Sequence, residues 1–218
     1  MNRYVWILRS SSDGHCIQGA CQPYNPTLDD IRVVCRLLQT FVPFELEDII
    51  LREAEYYSNA LDELTVPVSI SQREVRCAAV GPFTQEEVDS IARVEAVVTG
   101  HDQGWSSYPE DKGTTRNSWT WYSLRSEENG TVSDLVDHAA TNLHAVSDAQ
   151  THVMEWVRGD DIVKQIRAGQ TISIWAHARY ASVAVPAVSL FHHCILRFPG
   201  WTNHIQYARL RVALYPQF

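Results

Sequence analysis

Apolar and polar residues alternate with two different periods along this chain, and the change of period falls near residue 65. Before it, Leu28, Ile31, Val34, Cys35 and Leu38 recur at steps of three and four. That spacing predicts an amphipathic helix over Leu28–Thr40. Thr27 stands where an N-cap is expected, with Asp30 at the third helical position, close to a capping box. Pro43 suits the first turn of a second helix, whose apolar face is Leu46, Ile49, Ile50 and Tyr57. Glu45, Glu47 and Asp48 load its start with negative charge, favourable against the helix dipole. A helical hairpin joined at Val42-Pro43 is expected, preceded by a short strand at Tyr4–Leu8 and a loop.

From Val66 the period becomes two. Strands are predicted at Val66–Ile70, Glu74–Val80, Ser90–Thr99, Trp119–Arg125, Asn142–His144, His152–Trp156, Thr171–Arg179 and His204–Leu214. Glu127–Asp134 reads as a polar turn region, and Thr84–Val88 has the look of a helix start. Ile172, Ile174 and Ala176 share one face of their strand, as Ala208, Leu210, Val212 and Leu214 share one face of the last. Repeated alternation of this kind implies antiparallel sheets, each with one buried face. The expectation is a mainly β fold: an antiparallel β-sandwich, jelly-roll-like, over residues 65–218, with a small helical segment over residues 1–64.

Composition narrows the function classes. The 218 residues are 45% hydrophobic, enough for a core without disulfide staples, and the net charge is −8 with no basic block. Nucleic acid and anionic membrane partners are therefore disfavoured. The five cysteines are an odd number, and Cys16 and Cys21 lack the second pair a structural zinc site needs. Reduced, mostly buried thiols are expected. Tyr4–Leu8 is shorter than a signal-peptide core, and no run nears the roughly 20 apolar residues of a membrane span. A cytoplasmic protein is expected, which argues against use of the glycosylation tripeptide Asn129-Gly130-Thr131.

The candidate chemistry lies in Gly100–Tyr122, where Trp105, Trp119, Trp121, Tyr108 and Tyr122 surround a polar loop. Gly100–Ser118 is long for a hairpin loop, and loops of that length are often functional. His101, Asp102, Gln103, Trp105, Arg116, Asn117 and Trp121, with Trp201 and His204, are the expected lining of a binding site. Aromatic faces would stack on a ligand while amides and charges orient it. The plainer alternative is a loop pinned to the core by its tryptophans, with Asp102 capping its own backbone. His101 and Asp102, with Glu110 or Asp111, could also serve as acid and base. Asp102, Glu110 and Asp111 could hold calcium, but EF-hand spacing is absent. His192-His193 has no further ligand at fixed spacing. No nucleophile elbow, P-loop, dinucleotide fingerprint or HExxH occurs, so neither cofactor nor metal is expected. The leading expectation is non-enzymatic recognition of a polar small molecule, glycan or peptide. A ubiquitin-ligase adaptor and a hydrolase using His101 with an acidic partner are the alternatives.

Four elements carry a resemblance: the segment Pro43–Tyr57, His101-Asp102-Gln103-Gly104-Trp105, Asn117-Ser118-Trp119-Thr120-Trp121 and the run Phe198-Pro199-Gly200-Trp201-Thr202-Asn203-His204. On these the chain, from about Val42 to Leu214, resembles an uncharacterised family of fungal cytosolic proteins. The layout is distantly similar to galactose-binding-type sandwiches, which implies ligand-binding loops at one end. Pro43, Glu45, Leu46, Ile50 and Leu51 are spaced as in the opening of an F-box, which implies docking of a Skp1-like adaptor through residues 42–57. Against that family, Tyr180–Arg197 reads as an insertion between Arg179 and Phe198. We expect it to be a retained intron or an extra apolar segment.

Overall fold

The computed structural model describes residues 24–70, 74–102, 104, 106–179 and 204–216. The expected strand at Tyr4–Leu8, the Cys16–Cys21 pair, Gln103, Trp105, the Tyr180–Arg197 segment with His192, His193 and Cys194, and Trp201 lie outside these residues. The chain divides into two compact units, Met1–Asn59 and Ala60–Gln217.

In the first unit, α1 (Leu28–Leu38) opens on a full capping box. The Asp30 N–H donates to Thr27 Oγ1 at 3.1 Å and the Thr27 N–H donates to Asp30 Oδ2 at 2.9 Å. The Thr27 N–H bond first, then one from the Thr27 hydroxyl and one from Tyr24, hold the Asp30 carboxyl below its ordinary range. α1 buries Ile31 and Cys35, four residues apart on one face. Pro43 caps α2 (Phe44–Glu53). The Asn25 side chain brackets Asn59, accepting from its N–H and donating to its carbonyl, both at 2.8 Å.

β1 (Ser58–Leu64) follows directly, so strand structure begins earlier than the change of period suggested. The next elements are β2 (Val68–Ser69), β3 (Glu74–Val80), a short α3 (Gln85–Ser90) and β4 (Ile91–His101). After them come β5 (Thr120–Glu128), β6 (Thr131–Thr141), β7 (Gln150–Val157), α4 (Asp161–Gln165), β8 (Thr171–Ala178) and β9 (His204–Leu214). One antiparallel sheet has the order β1-β9-β4-β7, with β2 also on β9, and the other β3-β8-β5-β6. Each buries an apolar face. Val94, Ala96 and Val98 of β4 lie beside Val212, Leu210 and Ala208 of β9, all fully buried. Tyr122 and Leu124 of β5 lie beside Ala176 and Ile174 of β8 and are equally enclosed. The mainly β antiparallel sandwich is the observed fold.

Several local expectations are corrected. Glu127–Asp134 is a hairpin, in which Asn129 and Gly130 both have positive φ and join β5 to β6 with Glu128 opposite Thr131. Asn-Gly is the dipeptide that a two-residue hairpin turn favours. Asn142–His144 is loop, because β6 already ends at Thr141. Most consequentially, β4 and β5 are not hairpin partners. They belong to different sheets, and residues 102–119 form a bridge between layers, which accounts for the length of that segment. Among the described strands, with β2 set aside, β5–β6 alone is a connection that stays within one sheet.

Candidate functional site

The registers Gly100↔Gln150, His101↔His204, Thr120↔Ala178 and Trp121↔Thr141 put the ends of six strands, three from each sheet, at one end. The bridge 102–119 and the β6–β7 loop therefore meet at one end of the sandwich. A shift of register between Thr99 and Gly100 breaks the β4–β9 ladder just before His101.

Asp102 is fully buried at this junction. Its carboxylate accepts from the Ala145 N–H at 2.9 Å and from Thr120 Oγ1 at 3.5 Å, and His144 Nδ1 lies 3.8 Å away. The His144 ring, also fully buried, hydrogen-bonds Ser106 through Nε2 and meets Trp119 edge-on at 5.8 Å. Backbone bonds reinforce this latch: the His144 N–H donates to Thr114 O at 2.7 Å and the Gly113 N–H to His144 O at 3.0 Å. Beneath it, Asn142 donates to Thr120 Oγ1 at 3.1 Å and its Oδ1 pairs with His152 Nε2 at 3.0 Å. Burial lowers the His152 pKa and pushes the Tyr122 hydroxyl up to about 12.

Asp111 is the second buried carboxylate of the bridge. Asn117 Nδ2 donates to it at 2.6 Å, and Arg116 approaches its other oxygen at 3.2 Å while remaining mostly exposed. Asn117 adopts φ +52°, which asparagine tolerates better than most residues. His101 is half-buried, its Nδ1 hydrogen-bonded to Asp102 O at 2.8 Å. Asp102 and Asp111 are thus buried and engaged by partners within the protein itself. Among the described residues, no group of three or more His, Cys, Asp or Glu side chains could hold a metal. Among the bridge residues left exposed are Tyr108, Glu110, Lys112, Arg116 and Asn117.

Trp121 is not brought to this cluster. Strand alternation sends Thr120 and Tyr122 inward and Trp121 to the outer face of the second sheet. There it stacks between His138 at 4.8 Å and His177 at 5.0 Å, the rings within about 11° of parallel. These separations match the roughly 4.8 Å between strands, since the three rings stand on neighbouring β6, β5 and β8. His138, at φ +53°, sits where β6 bulges against β5. On the same face Ser123 Oγ and His177 Nε2 share a hydrogen bond of 2.7 Å, and His177 Nδ1 is 3.6 Å from Glu74 Oε2. Arg125 donates to Asp134 at 2.7 Å and to Glu74 at 3.0 Å, and lies 5.0 Å over the Trp175 ring. Serine, imidazole and carboxylate stand in the order a hydrolase uses. Ser123 is nevertheless fully buried in mid-strand, paired with Trp175 and flanked by Trp121 and Arg125, so a carbonyl group has no approach to its hydroxyl. Burial, and next the Arg125 charge, lower the His177 pKa against the opposing pull of Glu74, Asp137 and Asp134.

Sequence reasoning missed His144, Asn142, Ser123, Arg125 and Glu74. The available signal was polar residues at alternate positions of a strand or at its end, which ask for partners that local spacing cannot name. Among the described residues no helix is long and apolar enough to cross a membrane. No protein-family model matches the chain, and no curated protein matches it.

Proposed function

We propose that this chain is a non-enzymatic recognition protein of the cytoplasm that binds a polar small molecule, glycan or peptide at the loop end of its sandwich. One observation carries the reading. A long bridge without sheet pairing is held from beneath by two buried carboxylates, Asp102 and Asp111, while Tyr108 and Arg116 remain exposed on it. A loop fixed by its own interior needs no ordering when a ligand arrives, and that lowers the cost of binding. An exposed aromatic ring and an exposed guanidinium on one held loop suit stacking on a sugar or amide combined with hydrogen bonding to its polar edge. The strand order supports a jelly-roll arrangement: numbered along the chain without β2, the strands run 1-8-3-6 in one sheet and 2-7-4-5 in the other.

A glycan array and a thermal-shift screen of polar metabolites and peptides test the proposal, repeated with Tyr108→Ala and Arg116→Ala. The expected result is a ligand whose affinity falls about tenfold or more in either variant at unchanged melting temperature. Ligands that bind both variants as tightly as the parent would overturn it.

A second reading, an adaptor that docks a Skp1-like protein through residues 42–57, is favoured by one observation. The outward side of α2 carries Leu46, Ile49 and Ile50.

A further inference from the structure

α2 is built inside out. Its buried residues are Glu47 and Leu51, four apart, and both Glu47 carboxyl oxygens lack a hydrogen-bond partner. Leu46, Ile49 and Ile50 are 42–52% exposed, as is Phe44, and Phe41 just before the helix is 83% exposed. At 3.6 residues per turn Leu46, Ile49, Ile50 and Glu53 fall within about 100° of one another, on a face turned about 130° from that of Glu47 and Leu51. A helix held only by its own unit points its apolar stripe inward. Here the stripe points out, at the i, i+3, i+4 spacing by which amphipathic helices seat in a groove.

We infer that α2 docks into an apolar groove of a partner protein whose rim carries basic side chains. The charges around the stripe choose the occupant. Glu45, Glu53 and Glu55 are exposed beside it, with Arg52 the one cation of α2. A second copy would bring the same acidic flank onto itself, in a chain already at −8, and is disfavoured. The inference fixes the face and the partner's chemistry within the adaptor reading, and it stands on α2 even if the partner is not Skp1-like.

The test has two arms, both with the full chain. In the first, a purified Skp1-like adaptor is titrated against the parent, Leu46→Asp and Ile49→Asp, each checked for folding by circular dichroism. Binding that both substitutions weaken about tenfold or more, and that salt weakens further, supports docking and adaptor alike. No binding sinks the adaptor reading only. The second arm places a photo-reactive phenylalanine at Ile49 in cells, identifies the crosslinked protein, purifies it and titrates it in the same way. A protein with a basic-rimmed groove whose affinity collapses with Ile49→Asp supports docking. Crosslinks confined to a second copy or to this chain's own residues, or a partner indifferent to Ile49→Asp, overturn it.

Discussion

Asp102 accepts a hydrogen bond from the backbone N–H of Ala145, 43 residues further along, at 2.9 Å in a fully buried position. With Thr120 on its other oxygen, this one carboxylate joins the end of β4, the start of β5 and the β6–β7 loop. Asp102→Ala would leave buried donors without an acceptor and is expected to lower stability by about 1–3 kcal/mol, measured by denaturant unfolding. Asp102→Asn keeps one acceptor oxygen and should cost less. If the loop end binds a ligand as proposed, that binding should weaken in the alanine variant although Asp102 is itself buried.

Arg125 is a second junction, shared by Asp134, Glu74 and the Trp175 ring. Its own side chain is 16% exposed, but its carboxylate partners are about half exposed and largely screened. Arg125→Met is therefore expected to cost about 1–2 kcal/mol, well below the loss for a fully buried pair. Thermal unfolding at low and high salt would measure it, with the parent losing part of the difference at high salt.

Stability should fall at both ends of the pH range. His177 and His152 have pKa values lowered by burial, so their contribution is present above the unfolded value of 6.5 and is lost as pH falls through their folded values. Tyr122 and Cys77 are pushed up to about 12 by burial, from 10.0 and 9.0. Their contribution is present below those unfolded values and is lost as pH rises toward 12. Denaturant unfolding against pH should show both flanks, and His177→Gln should flatten the acid one.

Glu47 buries a carboxyl without a hydrogen-bond partner. Glu47→Leu is expected to stabilise the first unit by about 1–2 kcal/mol, because an unmatched polar group is replaced by an apolar one of similar size. A melting temperature that falls instead would show that the carboxyl is matched in solution.

Ser123 and His177 make a local prediction about chemistry. Because the serine hydroxyl is enclosed, a fluorophosphonate probe should fail to label it in the folded protein. Ser123→Ala should alter stability without altering any activity.

Much of the fold was legible because it is written in local spacing. The α1 steps of three and four, the Thr27–Asp30 cap and the inward faces of β8 and β9 appear as the residues predict. β6 was missed because its residues are mostly exposed and carry Asp134, Asp137 and His138, leaving no apolar alternation to read. The Asn129-Gly130 turn was the signal for it. In the candidate site, Trp121 and Asp102 were expected together because they are near in sequence. They lie apart because successive residues of β5 point to opposite faces.

The amino-acid sequence by itself determined the type of most helical and strand segments, β1 and β6 excepted, and which side of most strands is apolar. These follow from the period of the side chains, a property of a few consecutive residues. Only the tertiary structure decided that β4 and β5 belong to different sheets, that Asp102 is sealed beneath Ala145 and Thr120, and that Trp121 stacks between two histidines. Each of those depends on which distant strands become neighbours. That choice comes from burying two sheet faces against each other, and no local period encodes it.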